Sequence, residues 1–333
     1  MTDRIVPRVA VLIPCYNEAV AIARVVAGFR AALPDAAIYV YDNNSADGTA
    51  AAAGAAGAAG AAGAAGAAGA AGAAGAVVRR ETLQGKGHVV RRMFADVEAD
   101  LYLLVDGDDT YDAAVAPAML RRLQDDGLDM VIGTRVTDSA AAWRPGHRLG
   151  NRVLTGLVAA IFGNRVTDML SGYRAFSRRF VKTFPALAAG FETETELTVH
   201  ALELHMAIGE VPTAYRDRPE GSASKLHTFR DGLRILRTIV ILVKEERPLQ
   251  FFSLCGVLLL LLGVGLGLPV VATFLATGLV PRLPTAVLAT GFVLLSFLAL
   301  ASGLILDSVT RGRKELKRLL YLAQPGPARP DGG

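Results

Sequence analysis

LYLLVDGDDTYD, Leu101–Asp112, is an apolar run that ends in carboxylates: Asp106, Asp108, Asp109 and Asp112. A short apolar run closed by a turn signal reads as a strand buried on both faces. Similar runs stand at Val9–Ile13, Ile38–Tyr41, Val77–Arg80 and Met130–Ile132, with helical patterns between them at Ala19–Ala32 and from near Gly48. This alternation predicts an α/β fold, a mostly parallel, Rossmann-like sheet with helices on both faces. Ligands bind such sheets at the carboxyl ends of the strands. The polar clusters PCYNE, DNNSADGT, DGDDTYD and GTR all follow strands and are expected to converge on one edge.

The carboxylates have a chemistry of their own. Asp106 and Asp108 sit at i and i+2 in a turning segment, so both can point the same way, and Gly107 lets the chain bend sharply. Hard oxygen ligands of this kind suit Mg²⁺ or Mn²⁺, completed by phosphate and water. Asp109 and Asp112 read as turn solvation or a helix cap. Asp42, with Asn43, Asn44 and Ser45 behind it, can accept hydrogen bonds from a base or ribose. Tyr16, Asn17 and Glu18 offer a ring for stacking and polar groups beside it. Gly85-Lys86-Gly87 sets a flexible cation nearby, suited to a phosphate.

Hydrophobic residues make up 52% of the 333 residues, and the mean hydropathy is +0.37. The apolar excess collects after Phe251, which predicts a water-facing part followed by a membrane part. Phe251 to about Leu279 and Thr285–Leu306 are each long enough to cross ~30 Å of hydrocarbon. The short link VPRLP makes them a hairpin. Lys244 and Arg247 precede it, Arg311, Arg313, Lys314, Lys317 and Arg318 follow it, and the link holds only Arg282. By the positive-inside rule the catalytic part and the tail are expected on the cytoplasmic side of the cell (inner) membrane, with the chain multi-pass. Two further segments, Arg148–Arg165 and Thr228–Pro248, combine apolar positions at helical spacing with arginines, the pattern of helices lying in a headgroup layer. The expected division is 1–227 catalytic, 228–250 interfacial helix, 251–310 transmembrane hairpin and 311–333 basic tail.

A net charge of +4 gives no case for nucleic acid. Cys15 and Cys255 lack metal or disulfide spacing, which fits a reducing compartment. The N-terminal apolar core Val9–Ile13 is too short for a signal peptide and reads as a first strand. Residues 52–75 are eight Ala-Ala-Gly triplets. Glycine every third residue is the collagen period, but proline is missing. Each glycine costs a helix ~1 kcal/mol relative to alanine, so the repeat reads as a loosely helical or partly disordered extension of the helix that begins near Gly48. In Gly190–Leu202, GFETETELTVHAL, Glu194 or Glu196 invites a catalytic reading, but Thr193 and Glu196 have capping-box spacing ahead of a helix, which favours a structural one.

VLIPCYNEAVAI, YDNNSADGT, QGKG, LVDGDDTYD, VIGTR and DMLSGYRAFSRRF, in this order and spacing, resemble the family 2 glycosyltransferases of the GT-A type. The likeness is to dolichol-phosphate mannose synthases and bacterial polyprenyl-phosphate glycosyltransferases, over about residues 7–230 apart from the triplet insert. The resemblance implies a nucleoside-diphosphate sugar donor, a polyprenyl phosphate acceptor, inversion at the sugar and a lipid-linked monosaccharide product. Pro14, Tyr16, Glu18, Asp42 and Lys86 would bind the nucleotide. Asp106 and Asp108 would hold the divalent ion. Arg135 and Arg148, with Arg152, would receive the acceptor phosphate. Asp168 and Arg174 would face the reacting centre, Asp168 as base or positioning group. Arg218 and Lys225, in RPEGSASKL, would close over the donor.

Other readings stay open on the residues alone: a polysaccharide synthase, a sugar nucleotidyltransferase, or a non-catalytic membrane adaptor that binds nucleotide. A processive synthase would need more membrane helices and a Q-x-x-R-W run, and the one tryptophan, Trp143, is not in such a run. GDP-mannose, UDP-glucose and UDP-GlcNAc all suit these motifs. The number of copies, a homo-oligomer included, is left open.

Overall fold

A computed structural model describes residues 7–61, 76–136, 147–163, 166–190, 192–219 and 228–327. The expected alternation is present. Strands β1 (Val9–Cys15), β2 (Ala37–Asp42), β3 (Val77–Arg80) and β4 (Leu101–Leu104) are joined by helices α1 (Ile22–Ala32), α2 (Thr49–Ala61) and α3 (Lys86–Asp96). A 3₁₀ turn at Ala113–Val115 leads into α4 (Ala116–Asp125). β5 (Met130–Val136), α5 (His147–Phe162), β6 (Arg174–Ser177), α6 (Arg178–Thr183), α7 (Thr193–Glu203) and β7 (Ile208–Ala214) follow.

The strands form one seven-stranded sheet in the order β3-β2-β1-β4-β6-β5-β7. β1, β2, β3 and β4 are parallel neighbours, as are β5 and β7. β6 alone runs against its neighbours β4 and β5. Register brings Cys15 beside Asp42 and Leu12 beside Leu104, so the polar segments after β1, β2 and β4 leave from one edge. Adjacent residues Ala10, Val11, Leu12 and Ile13 are all buried, as expected of a strand covered on both faces. One face packs Val11, Ile13, Ile38 and Val131 against Phe29 of α1 and Met119 and Leu123 of α4. An aromatic cluster forms apart from it, with Phe94 edge-on to Tyr102, Phe176 and Phe184.

Two strands were not expected from the sequence. β6 is four residues, RAFS, with no alternation to reveal it. β7 contains Gly209 and Pro212, which argue against a strand, but it lies at the sheet edge where proline is tolerated. Helix α2 does continue into the triplet repeat as far as Ala61; the rest of the repeat lies outside the described residues.

Contacts divide the chain into two compact units. One runs to Thr238 and takes in the chain from Arg318; the other is Ile239–Lys317. The C-terminal helices are α8 (Thr228–Glu246), α9 (Pro248–Thr277) and α10 (Leu283–Leu322). α9 and α10 are long and apolar enough to cross a membrane. Apart from Pro248 at the start of α9, their buried positions, Gly256, Gly263 and Val270 on one and Ala289, Ser296, Gly303 and Thr310 on the other, recur every seventh residue. That period is the seam of a left-handed helix pair. A Cβ on Gly263 would lie 3.0 Å from the Ala289 carbonyl oxygen, so glycine is what permits the close approach. Elsewhere both helices expose many leucine, valine and phenylalanine side chains.

Candidate active site

The loops after β1 and β2 are stitched together. The Asn17 amide donates to Ser45 Oγ at 2.9 Å, the Glu18 amide to Thr49 Oγ1 at 2.8 Å, and the Ala46 amide to Asn17 Oδ1 at 2.8 Å. Asn17, Asn44 and Asp109 all take positive φ, 52°, 63° and 61°. Asn and Asp tolerate this left-handed region better than other side chains. Tyr16 is exposed, whereas Glu18, Asp42 and Asn43 are buried. The Ser45 amide donates to the Asp42 carboxylate at 3.3 Å. Asn43 pins the following loop by donating to the Glu81 and Leu83 carbonyls and accepting from the Gly85 amide at 2.7 Å.

Asp106 and Asp108 follow β4. Asp108 is 4% exposed; its Oδ1 accepts from Thr110 Oγ1 at 2.6 Å, and its Oδ2 meets Arg218 at 2.5 Å. Burial, then the neighbouring Asp106 carboxylate, pushes Asp108 above the ordinary carboxylate range in spite of Arg218. Asp106 meets Lys86 Nζ at 2.5 Å. Lys86 also donates to Glu194 of α7. Burial works to lower the lysine, but the two carboxylates outweigh it and hold it above its usual value. Arg218 further reaches Glu18 at 3.7 Å.

This network fits a divalent cation. Among the described residues its ion pairs join the carboxylates of Glu18, Asp106, Asp108 and Glu194 to Lys86 and Arg218. The donors that cluster there are hard carboxylate oxygens, the kind such a cation takes. Among the described residues no set of three or more His, Cys, Asp or Glu side chains could hold a metal ion. The protein would therefore supply the aspartate pair, leaving other positions to phosphate and water, as Mg²⁺-type sites do.

A second charged pair stands on the β5 side. β5 runs on through Val136, so Arg135 lies within the strand rather than in a loop after it. Asp168 accepts from Arg135 Nε and Nη2 at 2.7 Å each and from the Arg135 amide at 3.2 Å. Arg135 also lies 5.5 Å over the Tyr215 ring. The Tyr111 ring packs 5.3 Å from both Tyr173 and Tyr215, and its hydroxyl accepts from the Gly172 amide at 3.0 Å. Arg174 lies beneath this loop, fully buried. Its guanidinium donates to the Ser171 carbonyl at 3.0 Å, Thr198 Oγ1 at 2.9 Å and the Met169 carbonyl. Burial pulls it down to about 10, so it stays cationic at neutral pH.

Glycines make the close approaches possible. A Cβ on Gly87 would lie 2.0 Å from the Ala188 carbonyl oxygen, and one on Gly172 would lie 2.2 Å from the Asp106 carboxylate. Gly87→Ala is expected to cost about 1–3 kcal/mol, the usual range for overpacking, read as a lower melting temperature. The capping box expected at Thr193 does not form. The helix N-cap is Glu192, Thr193 Oγ1 donates to the Gly190 carbonyl, and Glu196 accepts from the Leu187 and Ala188 amides at 2.8 Å each. The segment before the helix folds back on it and takes the glutamate for itself.

Pro14, Tyr16, Glu18 and Asp42 thus share one edge with Asp106 and Asp108. Lys86 and Arg218 are ion-paired to the aspartates, and Arg135 is paired to Asp168. Arg148 and Arg152 belong to α5, but their side chains, like Lys225, lie outside the described residues. The sequence reading missed Glu194 as the partner of Lys86 and the Tyr111–Tyr215 contact. The TETEL run does draw the eye to Glu194 and Glu196, but nothing in the sequence pairs Glu194 with a lysine 108 residues before it.

A seven-stranded, mostly parallel α/β sheet carrying an acidic pair at the carboxyl ends of its strands is a GT-A-like architecture. The family profile described as Glycosyl transferase family 2 matches residues 10–184, and the chain belongs to this family. Glycosyltransferase AglJ of Haloferax volcanii is 33% identical over 93% of this chain and 97% of its own length. The dolichyl-phosphate hexose transferase of the same organism is 30% identical over 49% of this chain and 70% of its own length. Among solved structures, glucosyl-3-phosphoglycerate synthase from Mycobacterium tuberculosis, in complex with Mn²⁺, UDP and glucosyl-3-phosphoglycerate, superposes with a TM-score of 0.52. It is 22% identical over 72% of this chain and 79% of that one, a likeness of fold. The chain is therefore a glycosyltransferase with the GT-A-like fold.

Proposed function

We propose that this chain transfers a hexose from a nucleoside-diphosphate sugar to a polyprenyl phosphate, with inversion, giving a lipid-linked monosaccharide. One observation carries the reading. A chain with two bilayer-length helices also brings an aspartate pair, after β4, and an arginine–aspartate pair, at β5, to one sheet. The name of the dolichyl-phosphate hexose transferase relative supports the acceptor class.

Tyr16, Glu18 and Asp42, with Pro14 shaping the strand end, would receive the nucleotide. Asp106 and Asp108 would hold Mg²⁺ or Mn²⁺, which when bound supplies Lewis-acid stabilisation of the leaving diphosphate. Lys86 and Arg218 add fixed positive charge there, with Lys225 in the same role. Arg135 offers a planar fork to the acceptor phosphate, and Arg148 adds a second cation. The acceptor is a phosphate monoester with a second pKa of about 6, so it arrives mostly as a ready anion. Asp168 therefore acts through Arg135, holding its fork, rather than as a base. Arg174 positions the loop that carries Asp168. Attack comes in line, from the side opposite the departing diphosphate.

The cationic flanks of the α9–α10 pair and the single arginine of its link favour a cytoplasmic catalytic part on a multi-pass inner-membrane anchor. On α8, Leu233, Leu236 and Val240 are exposed beside Arg234 and Arg237, which suits the headgroup layer.

The test uses purified full-length chain with labelled GDP-mannose, UDP-glucose or UDP-GlcNAc, a polyprenyl phosphate, and Mg²⁺ or Mn²⁺. One donor is expected to give organic-extractable label that EDTA abolishes. Transfer only to a soluble phosphate such as 3-phosphoglycerate, or no turnover with any donor, overturns the acceptor or the whole reading respectively.

A further inference from the structure

Lys86 is shared between two carboxylates of different character. Asp106 stands on a turn with its side chain 31% exposed, whereas that of Glu194 is 7% exposed. The Glu194 side is rigidly built. Gly85 and Gly87 press against the Ala189 and Ala188 carbonyls with no room for a Cβ, and Glu196 holds the amides of Leu187 and Ala188. Glu194 Oε2 is buried and has no hydrogen-bond partner among the described residues. A lysine ammonium has three donors, so that oxygen can take a second one.

We infer that Glu194 is a positioning residue that receives Lys86 when a divalent cation takes Asp106. The inference rests on the aspartate pair as the metal site. A cation that takes Asp106 Oδ1 displaces Lys86 from it. Without an alternative partner, the displaced ammonium would be left buried and uncompensated, which is costly. Glu194 removes that cost, because Lys86 needs only to shift its donors from one carboxylate to the other. The lysine stays beside the site, aimed at the leaving diphosphate, instead of competing with the metal.

The test is Mn²⁺ binding by electron paramagnetic resonance on the full-length chain, alone and with UDP or GDP. Glu194→Gln leaves Asp106 as the sole carboxylate for Lys86. Mn²⁺ affinity is expected to fall about tenfold, the size of a typical coupling between contacting charges. Lys86→Met combined with Glu194→Gln removes the competitor as well, and affinity is expected to return to the wild-type value or better. A Glu194 that merely supports the fold predicts no such rescue. Wild-type affinity in folded Glu194→Gln, or a double variant as weak as the single one, overturns the inference while the metal site stands. Absence of Mn²⁺ binding in the wild type, or full binding in Asp108→Asn, overturns the metal site and the inference together.

Discussion

Asp108→Asn is expected to lower transfer by about 10³-fold, since a lost electrostatic contact to a developing anion costs several kcal/mol. The substitution keeps the shape and the Thr110 contact but removes the charge that would hold the cation. Stability is expected to move the other way. In the folded protein burial and Asp106 raise the Asp108 carboxyl above its unfolded value. A carboxyl raised in this way resists ionisation in the folded state, so its charge costs stability at any pH above the unfolded value. That cost is present at neutral pH and disappears as pH falls through the unfolded range. The neutral asparagine escapes it, though Arg218 gives up one of its carboxylate contacts and keeps Glu18. A melting temperature at or above that of the wild type, together with lost turnover, is the expected pair of results. Retained turnover in the presence of Mg²⁺ or Mn²⁺ would remove Asp108 from the metal site.

Asp168→Asn is expected to cost about 10²-fold in kcat/KM for the acceptor, the scale of an ångström-sized misplacement of a catalytic group. The carboxylate engages Arg135 through both its oxygens, and the pair is largely buried, 12% and 9% exposed at the side chains. Removing the charge of one partner from a buried pair costs about 3–5 kcal/mol of stability. The pH profile separates the two roles considered for Asp168. A positioning residue leaves the residual activity with the wild-type pH dependence. A general base would take the acidic limb of the profile with it. Arg135→Lys is expected to show a loss of the same order despite keeping the charge, because a point ammonium cannot reproduce the two-toothed contact. Gly172→Ala offers a milder probe of the same region. Its methyl would push on the Asp106 carboxylate, and weaker metal binding with little change in acceptor KM is expected.

Much of this site was legible before any coordinates. The apolar runs ending at Asp42 and Asp106 marked both the strands and their functional edge, because burial on two faces and turn chemistry are written in neighbouring residues. The two C-terminal apolar segments were equally plain, since a bilayer-length helix needs only local composition. The short β6 and the proline-bearing β7 were not, because neither has a period to detect.

By itself, then, the chain's order of residues determined the alternating architecture, the acidic turn, the bilayer-length helix pair and the family. Tertiary structure decided the partners: Arg135 with Asp168, 33 residues on, and Lys86 with Glu194, 108 residues on. It also decided that Arg174 is buried under the loop carrying Asp168. The physical reason is range. Hydrophobic period and turn preference act between neighbours in sequence. Which charge neutralises which depends on an antiparallel strand inserted between β4 and β5, and on glycine contacts that let two distant segments touch.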